Sequence, residues 1–323
     1  MAPSYEAVCK QYGLIPVRVD SFGQVQRIWT EQGTFALKKI PAERGIDFLL
    51  HMQSLYQAGY HHFVPVYPTL DGRYSVLEGS SLYYLMPWIE GQHENARQVE
   101  RSLLREAARL HLLSAVEVRV SKEERLRQFE KTKSRWERQE EELEQLAFLA
   151  EEEVYMSPFH LLFCSYYEET RLAYRYAKEK LEAWKEETAE SEKERTVQIH
   201  GQLEPGHYVT DAQSRGYFIN LEQSRRATPI HDLVPYFNRL FAGYPKESKQ
   251  EVESFQHYTQ FFSLKKGEKL LFQSYLAYPG QVYQAVASYF SGQGRQSEYE
   301  MVHKLQQAYW QMKNIEYFVT QLD

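Results

Sequence analysis

The chain has 323 residues, enough for one large domain or two lobes with separate cores. Hydrophobic residues make up 43% of it and charged residues 25%, both ordinary for a soluble globular protein. The net charge of −6 is spread along the chain and leaves no basic footprint for nucleic acid, and no run approaches the ~18 apolar residues of a membrane span.

The first ~90 residues read as β-rich by alternation and turn signals. Residues 25–30 and 34–40 are strands around the turn Glu31-Gln32-Gly33, and Pro41 stops the second. Helical spacing follows over residues 42–58, through Leu49, Leu50, Met52 and Leu55. Asp71-Gly72 is a hairpin signal, with strands expected over 73–77 and 82–86. Long helices begin near Asn95. One covers 99–115, with Leu103, Leu104, Ala107, Leu110 and Leu113 on one side. A second opens on the capping-box pattern Ser121-Lys122-Glu123-Glu124. It carries a narrow stripe of Leu126, Phe129, Trp136, Leu143 and Leu146. Ser157-Pro158 starts a third, which runs to about Trp184, so 121–185 reads as a helical hairpin. Residues 185–195 read as a solvated connection. A short β segment follows, with strands over 196–199, 208–210 and 217–221, and the remainder from His231 is helical.

Two composition features bear on function. The 25 tyrosines and 17 phenylalanines fit first an aromatic-rich core, since tyrosine buries its ring and keeps its hydroxyl wet, and as a sharper alternative a sticky assembly surface. Cys9 and Cys164 lie in no metal or redox motif and are expected to be reduced thiols. Residues 1–10 lack the apolar core of a signal peptide, so synthesis in the cytoplasm is expected.

Four segments carry chemistry when taken together. Phe35-Ala36-Leu37-Lys38 places a lysine on a strand; alone it is a surface lysine. Tyr84-Leu85-Met86-Pro87-Trp88-Ile89-Glu90-Gly91 is an apolar strand breaking at a turn. Ala107-Ala108-Arg109-Leu110-His111 ends a helix on a histidine. Ile199-His200-Gly201-Gln202-Leu203-Glu204-Pro205-Gly206-His207 leads to Phe218-Ile219-Asn220-Leu221, and then to Asp232.

In this order and spacing the segments resemble the aminoglycoside phosphotransferase family of the protein-kinase-like superfamily, from about Val19 to Tyr289. The resemblance is most specific to its spore-coat, CotS-like branch. It implies an α+β, two-lobed protein-kinase-like fold. The β-rich N-lobe would span 1–88, and the helical C-lobe, with its long hairpin and a catalytic loop at 199–222, would span 89–323. In active members an Asp in the His-Gly-Asp loop is the base, and a later Asn and Asp hold magnesium on the nucleotide phosphates. Those positions read Gln202, His207 and Asn220 here, while His200 keeps the loop histidine. An amide has no usable basicity, a loss worth on the order of 10²–10⁴-fold in rate. Asn220 removes an anionic magnesium ligand, and His207 offers nitrogen to a cation that prefers oxygen. Asp20-Ser21-Phe22-Gly23-Gln24-Val25 has one glycine, too few for a phosphate cradle.

The resemblance therefore implies a pseudokinase with no intact catalytic residues and no metal site. Lys38, Met86, Trp88 and Glu222 would remain as a vestigial nucleotide cleft, with weak ATP binding left open. The acidic partner of Lys38 falls to Glu43 or Asp47. The implied role is a structural or assembly protein of the spore coat, made in the mother-cell cytoplasm, with other coat proteins as partners and neither nucleic acid nor membrane insertion. The alternative is an atypical ATP-dependent phosphotransferase or a nucleotide-binding regulator of coat formation.

Overall fold

The structure is a computed structural model that describes residues 5–44, 47–91, 95–246, 249–292 and 297–322. In chain order the elements begin with α1 (Tyr5–Gln11), β1 (Arg18–Phe22), β2 (Val25–Thr30), β3 (Gly33–Pro41), α2 (Asp47–Gln57), β4 (Val76–Glu78), β5 (Ser81–Pro87) and α3 (Ala96–Ser114). Next come β6 (Val116–Arg119), α4 (Lys122–Glu151), α5 (Pro158–Thr188), β7 (Lys193–Ile199), β8 (Tyr208–Thr210), β9 (Gly216–Phe218) and β10 (Arg225–Ala227). The chain closes with α6 (Ile230–Leu240), α7 (Lys249–Phe261), α8 (Lys266–Ala277), α9 (Gly280–Phe290) and α10 (Glu298–Thr320). This is an α+β protein. It divides into two compact units, Met1–Ala115 with Val197–Ala227, and Val116–Thr196 with Thr228–Asp323.

The first unit is built on a five-stranded antiparallel sheet in the order β1-β2-β3-β5-β4. Because side chains alternate along a strand, each strand sends one set to each face. One face carries Ile28, Leu37, Val76, Tyr83 and Leu85, which pack with Val8, Cys9, Tyr12 and Leu14 into a closed core. Burial there pushes the Cys9 thiol up to about 11, with the Glu6 carboxylate adding to the shift. Cys9 and Cys164 are both free. The opposite face carries Arg27, Trp29, Ala36, Lys38, Tyr84 and Met86. Elsewhere in this unit the Val197–Ile199 part of β7 pairs with β10, and β8 pairs with β9.

The second unit is helical, apart from β6 pairing with the Lys193–Thr196 part of β7. Its hairpin is α4 against α5. On α4, Phe129, Trp136, Leu143 and Ala150 are buried at seven-residue spacing, and on α5 so are Phe163, Thr170, Ala177 and Trp184. That period is the seam of a coiled coil. Lys133–Glu182 at 2.6 Å and Lys178–Glu140 at 2.5 Å cross it. Ser121 and Glu124 cap α4 reciprocally, as its pattern predicts. The core beyond the hairpin is aromatic: Phe237 of α6, Phe241 just past its end, Phe255 of α7, Phe272 of α8 and Phe318 of α10 touch one another. The aromatic excess also supplies surface, because Tyr155 and Tyr299 are 91% and 77% exposed. Among the described residues no helix is long and apolar enough to cross a membrane.

Several expected elements shift. The hairpin into β5 turns at Gly79-Ser80, not at Asp71-Gly72, because β4 pairs with β5 from Glu78↔Ser81. Asp71-Gly72 instead closes a local loop in which the Gly72 amide donates to the Thr69 carbonyl and the Thr69 amide to the Arg73 carbonyl. The helix expected over 42–58 is confined to α2, and residues 45–46 of that expectation lie outside the described residues. The connection expected over 185–195 shrinks, since α5 runs to Thr188 and β7 starts at Lys193. The strand over 217–221 ends at Phe218, and a short 3₁₀ turn covers Leu221–Gln223. Ahead of the first expected strand stands β1, which pairs antiparallel with β2.

Candidate active site

All the residues that the sequence singles out for the cleft fall in the first unit. Lys38 sits on β3 between Val25 of β2 and Tyr84 of β5. Its ammonium donates to the Asn220 amide oxygen and forms an ion pair with Glu222. Tyr84 Oη also donates to the Glu222 carboxylate. The group is dry, with the Lys38 and Glu222 side chains 11% and 7% exposed. Burial by itself would raise the Glu222 carboxyl. The Lys38 charge and the hydrogen bonds from Lys38 and Tyr84 outweigh it and hold the group below the usual carboxylate range. Burial, with the Glu222 charge beside it, pushes the Tyr84 phenol well above its ordinary value.

The acidic partner of Lys38 is thus Glu222. Glu43 is exposed, and the Asp47 side chain lies outside the described residues. Asn220 reaches Lys38 from a left-handed backbone, φ 62° and ψ 46°, which asparagine tolerates better than most residues.

The loop before it is fixed by its histidines. His200 is fully buried; its Nε2 donates to the Ile219 carbonyl at 2.9 Å, and its Nδ1 accepts from the Gln202 amide at 3.2 Å. Those partners set the tautomer and tie the loop to the segment carrying Asn220. His207 lies 5.8 Å from His200, ring to ring, at an interplanar angle of 15°. Its Nδ1 meets the Gln202 carbonyl at 2.9 Å and its Nε2 meets Glu204 at 2.9 Å. Both ring nitrogens are therefore engaged inside the loop. The Gln202 side chain is exposed.

Gly201 has no alternative in this loop. Its φ is +85°, and a Cβ would stand 2.3 Å from the Gln223 carbonyl oxygen. We expect Gly201→Ala to destabilise the protein by about 2–3 kcal/mol, left-handed strain and overpacking together. Urea unfolding measures it; a variant as stable as wild type would show that the loop can move away.

The sheet end that would cover phosphates is closed as well. Phe22 pairs with Val25, so β1 and β2 join through the two residues Gly23-Gln24. The Gln24 carbonyl is already bound by the Lys39 amide at 2.9 Å. So tight a turn offers no row of free amides to an anion. At the other end, Met86 is buried opposite Ala36, and the Trp88 amide donates to the Thr34 carbonyl at 3.0 Å.

Magnesium and a nucleotide phosphate, which the resemblance implies, do not fit these residues. The Glu222 carboxylate next to Lys38 already balances its ammonium, and the Asn220 oxygen accepts from the same ammonium. His207 is turned into its own loop. Among the described residues no three His, Cys, Asp or Glu side chains are grouped to hold a metal ion.

The profile of the phosphotransferase enzyme family (APH) matches residues 20–261, three quarters of the chain. The chain belongs to that family. The aminoglycoside phosphotransferase of Alicyclobacillus acidocaldarius superposes with a TM-score of 0.76 at 18% identity, covering 100% of this chain and 96% of that one. An AMP-bound spectinomycin phosphotransferase gives a TM-score of 0.56 at 12% identity, covering 95% of each chain. A microcompartment-associated aminopropanol kinase gives 0.55 at 12% identity, covering 98% and 97%. At these identities the likeness shows the fold, which is the kinase-like one with an N-terminal antiparallel sheet and a helical C-lobe. No curated protein matches the sequence.

Sequence reasoning singles out Lys38, Glu222, Asn220, His200, Gln202 and His207 but divides them between an N-lobe and a C-lobe, whereas all six fall in the first unit, because residues 197–227 join it. It misses Tyr84 as a partner of Glu222, and it misses Arg27, Trp29 and Glu90 around Trp88. Strand alternation already puts Arg27 and Trp29 on the face of Lys38, and that is the signal that would have found them.

Proposed function

We propose that this phosphotransferase-family protein is a pseudokinase that serves as a structural or assembly part of the spore coat. The observation that carries the first half is the pairing of Lys38. Its charge is balanced by Glu222 and its ammonium donates to the Asn220 amide oxygen, on a fold whose base position holds the amide of Gln202. A lysine so engaged shares its ammonium between a buried carboxylate and an amide oxygen, so a phosphate would have to compete with both.

The coat assignment rests on the resemblance of the whole motif series to the CotS-like branch. An assembly role gains support from the tip of the α4–α5 hairpin. Phe148, Leu149, Val154, Tyr155 and Leu161 are exposed there beside Glu151-Glu152-Glu153. The partners in this reading are other coat proteins, met after synthesis in the mother cell.

A second reading has one observation in its favour. Lys38 on the sheet and a buried carboxylate beside it, Glu222, persist together, the minimum for an atypical ATP-dependent phosphotransferase or a nucleotide-binding regulator. The AMP-bound spectinomycin phosphotransferase shows that a nucleotide can be held on this kind of fold. In this chain we place the corresponding cleft on the sheet face that bears Lys38.

Thermal unfolding with millimolar ATP, with and without magnesium, separates the readings, because a ligand of the folded state must raise its melting temperature. ADP release is followed in parallel. We expect neither a shift nor turnover. A magnesium-dependent shift with ADP release would replace the pseudokinase reading by the second one.

A further inference from the structure

The face of the sheet that bears Lys38 holds a second group of contacts, centred on Arg27. Its guanidinium lies over the Trp29 indole at 4.0 Å and over the Trp88 indole at 4.7 Å from the ring centroids. Trp29 is held by its Nε1–H donating to Asp20 at 3.0 Å, and Phe22 leans on Trp88 with centroids 5.7 Å apart. The guanidinium also forms an ion pair with Glu90, and the Arg27 side chain is 17% exposed. Register places it in line with the cleft residues, since Arg27 pairs with Ala36, Ala36 with Met86, and Lys38 with Tyr84.

A planar, delocalised group held by two indoles and backed by Ala36 and Met86 occupies the space a planar heterocycle would need. Guanidinium and nucleobase both stack on aromatic faces, so one can take the place of the other. One detail marks the contact as incomplete. Arg27 Nε is buried and has no hydrogen-bond partner among the described residues. A buried donor left unpaired is costly, so the arginine is less firmly held than its stacking suggests.

We propose that Arg27 is an internal plug in the base subsite of the cleft, and that it excludes adenine nucleotides from a slot that is otherwise formed. The plug rests on the cleft placement given under the proposed function, and it acts separately from the lost chemistry at Gln202 and Asn220. Two ends of the cleft are then closed by different means, the base end by Arg27 and the phosphate end by Glu222 on Lys38. Only the first is removable without leaving a buried charge unpaired, because Glu90 is 74% exposed and stays solvated when Arg27 is gone.

The test uses the full chain and measures ATP, ADP and AMP binding by titration calorimetry, with and without magnesium, for wild type, Arg27→Ala and Glu90→Ala. Arg27→Ala is expected to bind adenine nucleotides at least about tenfold more tightly than wild type and without need of magnesium, the factor expected when the open state is a tenth of the population or less. Glu90→Ala, which loosens the plug without removing it, is expected to move in the same direction by less. ADP release stays absent in all three. A folded Arg27→Ala that binds no better than wild type overturns the plug. If Arg27→Ala does not fold, Glu90→Ala decides, and unchanged affinity there overturns it too. Wild type releasing ADP from ATP would instead overturn the pseudokinase reading, whatever the variants bind.

Discussion

Replacing Glu222 by alanine is expected to lower the stability of the protein by about 3–5 kcal/mol, because the buried Lys38 ammonium then loses its counter-charge. Tyr84 Oη loses its acceptor in the same step. Glu222→Gln keeps an oxygen for both donors and is expected to cost less. Combining Glu222→Gln with Lys38→Met removes the unpaired charge and is expected to recover part of the loss. Urea unfolding of the four proteins measures this directly, and a Glu222→Ala variant within about 1 kcal/mol of wild type would mean that the pair is solvated. The pH dependence has a definite sign. The folded Glu222 carboxyl lies below its ordinary value of 4.5, so its contribution is complete above that value and is lost as the pH falls through the folded one. The stability gap between wild type and Glu222→Gln is therefore full at neutral pH and narrows in acid.

Truncating Phe237 to alanine is expected to cost about 3–5 kcal/mol by the loss of apolar burial and the cavity left behind. Phe237 is fully buried. Its ring centroid lies 5.2 Å from that of Phe318, 5.7 Å from Phe255 and 5.8 Å from Phe272. These three neighbours come from three different helices, so no single one can move in to fill the space. Phe237→Leu keeps most of the volume and is expected to cost well under half as much. Calorimetric unfolding compares the two; equal losses would show that the ring contacts, not the volume, hold the cluster.

The parts of this molecule legible in the sequence are those in which a local rule is decisive. The capping box at Ser121 and the alternation through Phe35-Ala36-Leu37-Lys38 both act within a few residues, and each stands where its pattern says. The partner of Lys38 was illegible because nearby acids look like the natural choice, whereas Glu222 arrives from the far end of the unit. Residues 185–188 read as a loop on charge, yet Lys and Glu are good helix formers and simply extend α5. Asp71-Gly72 carries a hairpin signature but closes a small loop anchored on Thr69, since the strand pairing of β4 sets the turn at Gly79. Arg27 goes unremarked in the sequence because the two indoles that meet it, Trp29 and Trp88, come from different segments.

Lys38 and Asn220 stand 182 residues apart in the chain. Closing a loop of that size costs about 4–5 kcal/mol in chain entropy before any contact is made. During synthesis at about 5–20 residues per second, roughly ten to forty seconds separate the emergence of the lysine from that of its partners. Once β5 has emerged, the five-stranded sheet has α1 on one face and α2 on the other, where Phe48 meets Tyr84, but its Lys38 ammonium still lacks Glu222. Glu222 is the residue whose arrival gives that buried ammonium its counter-charge.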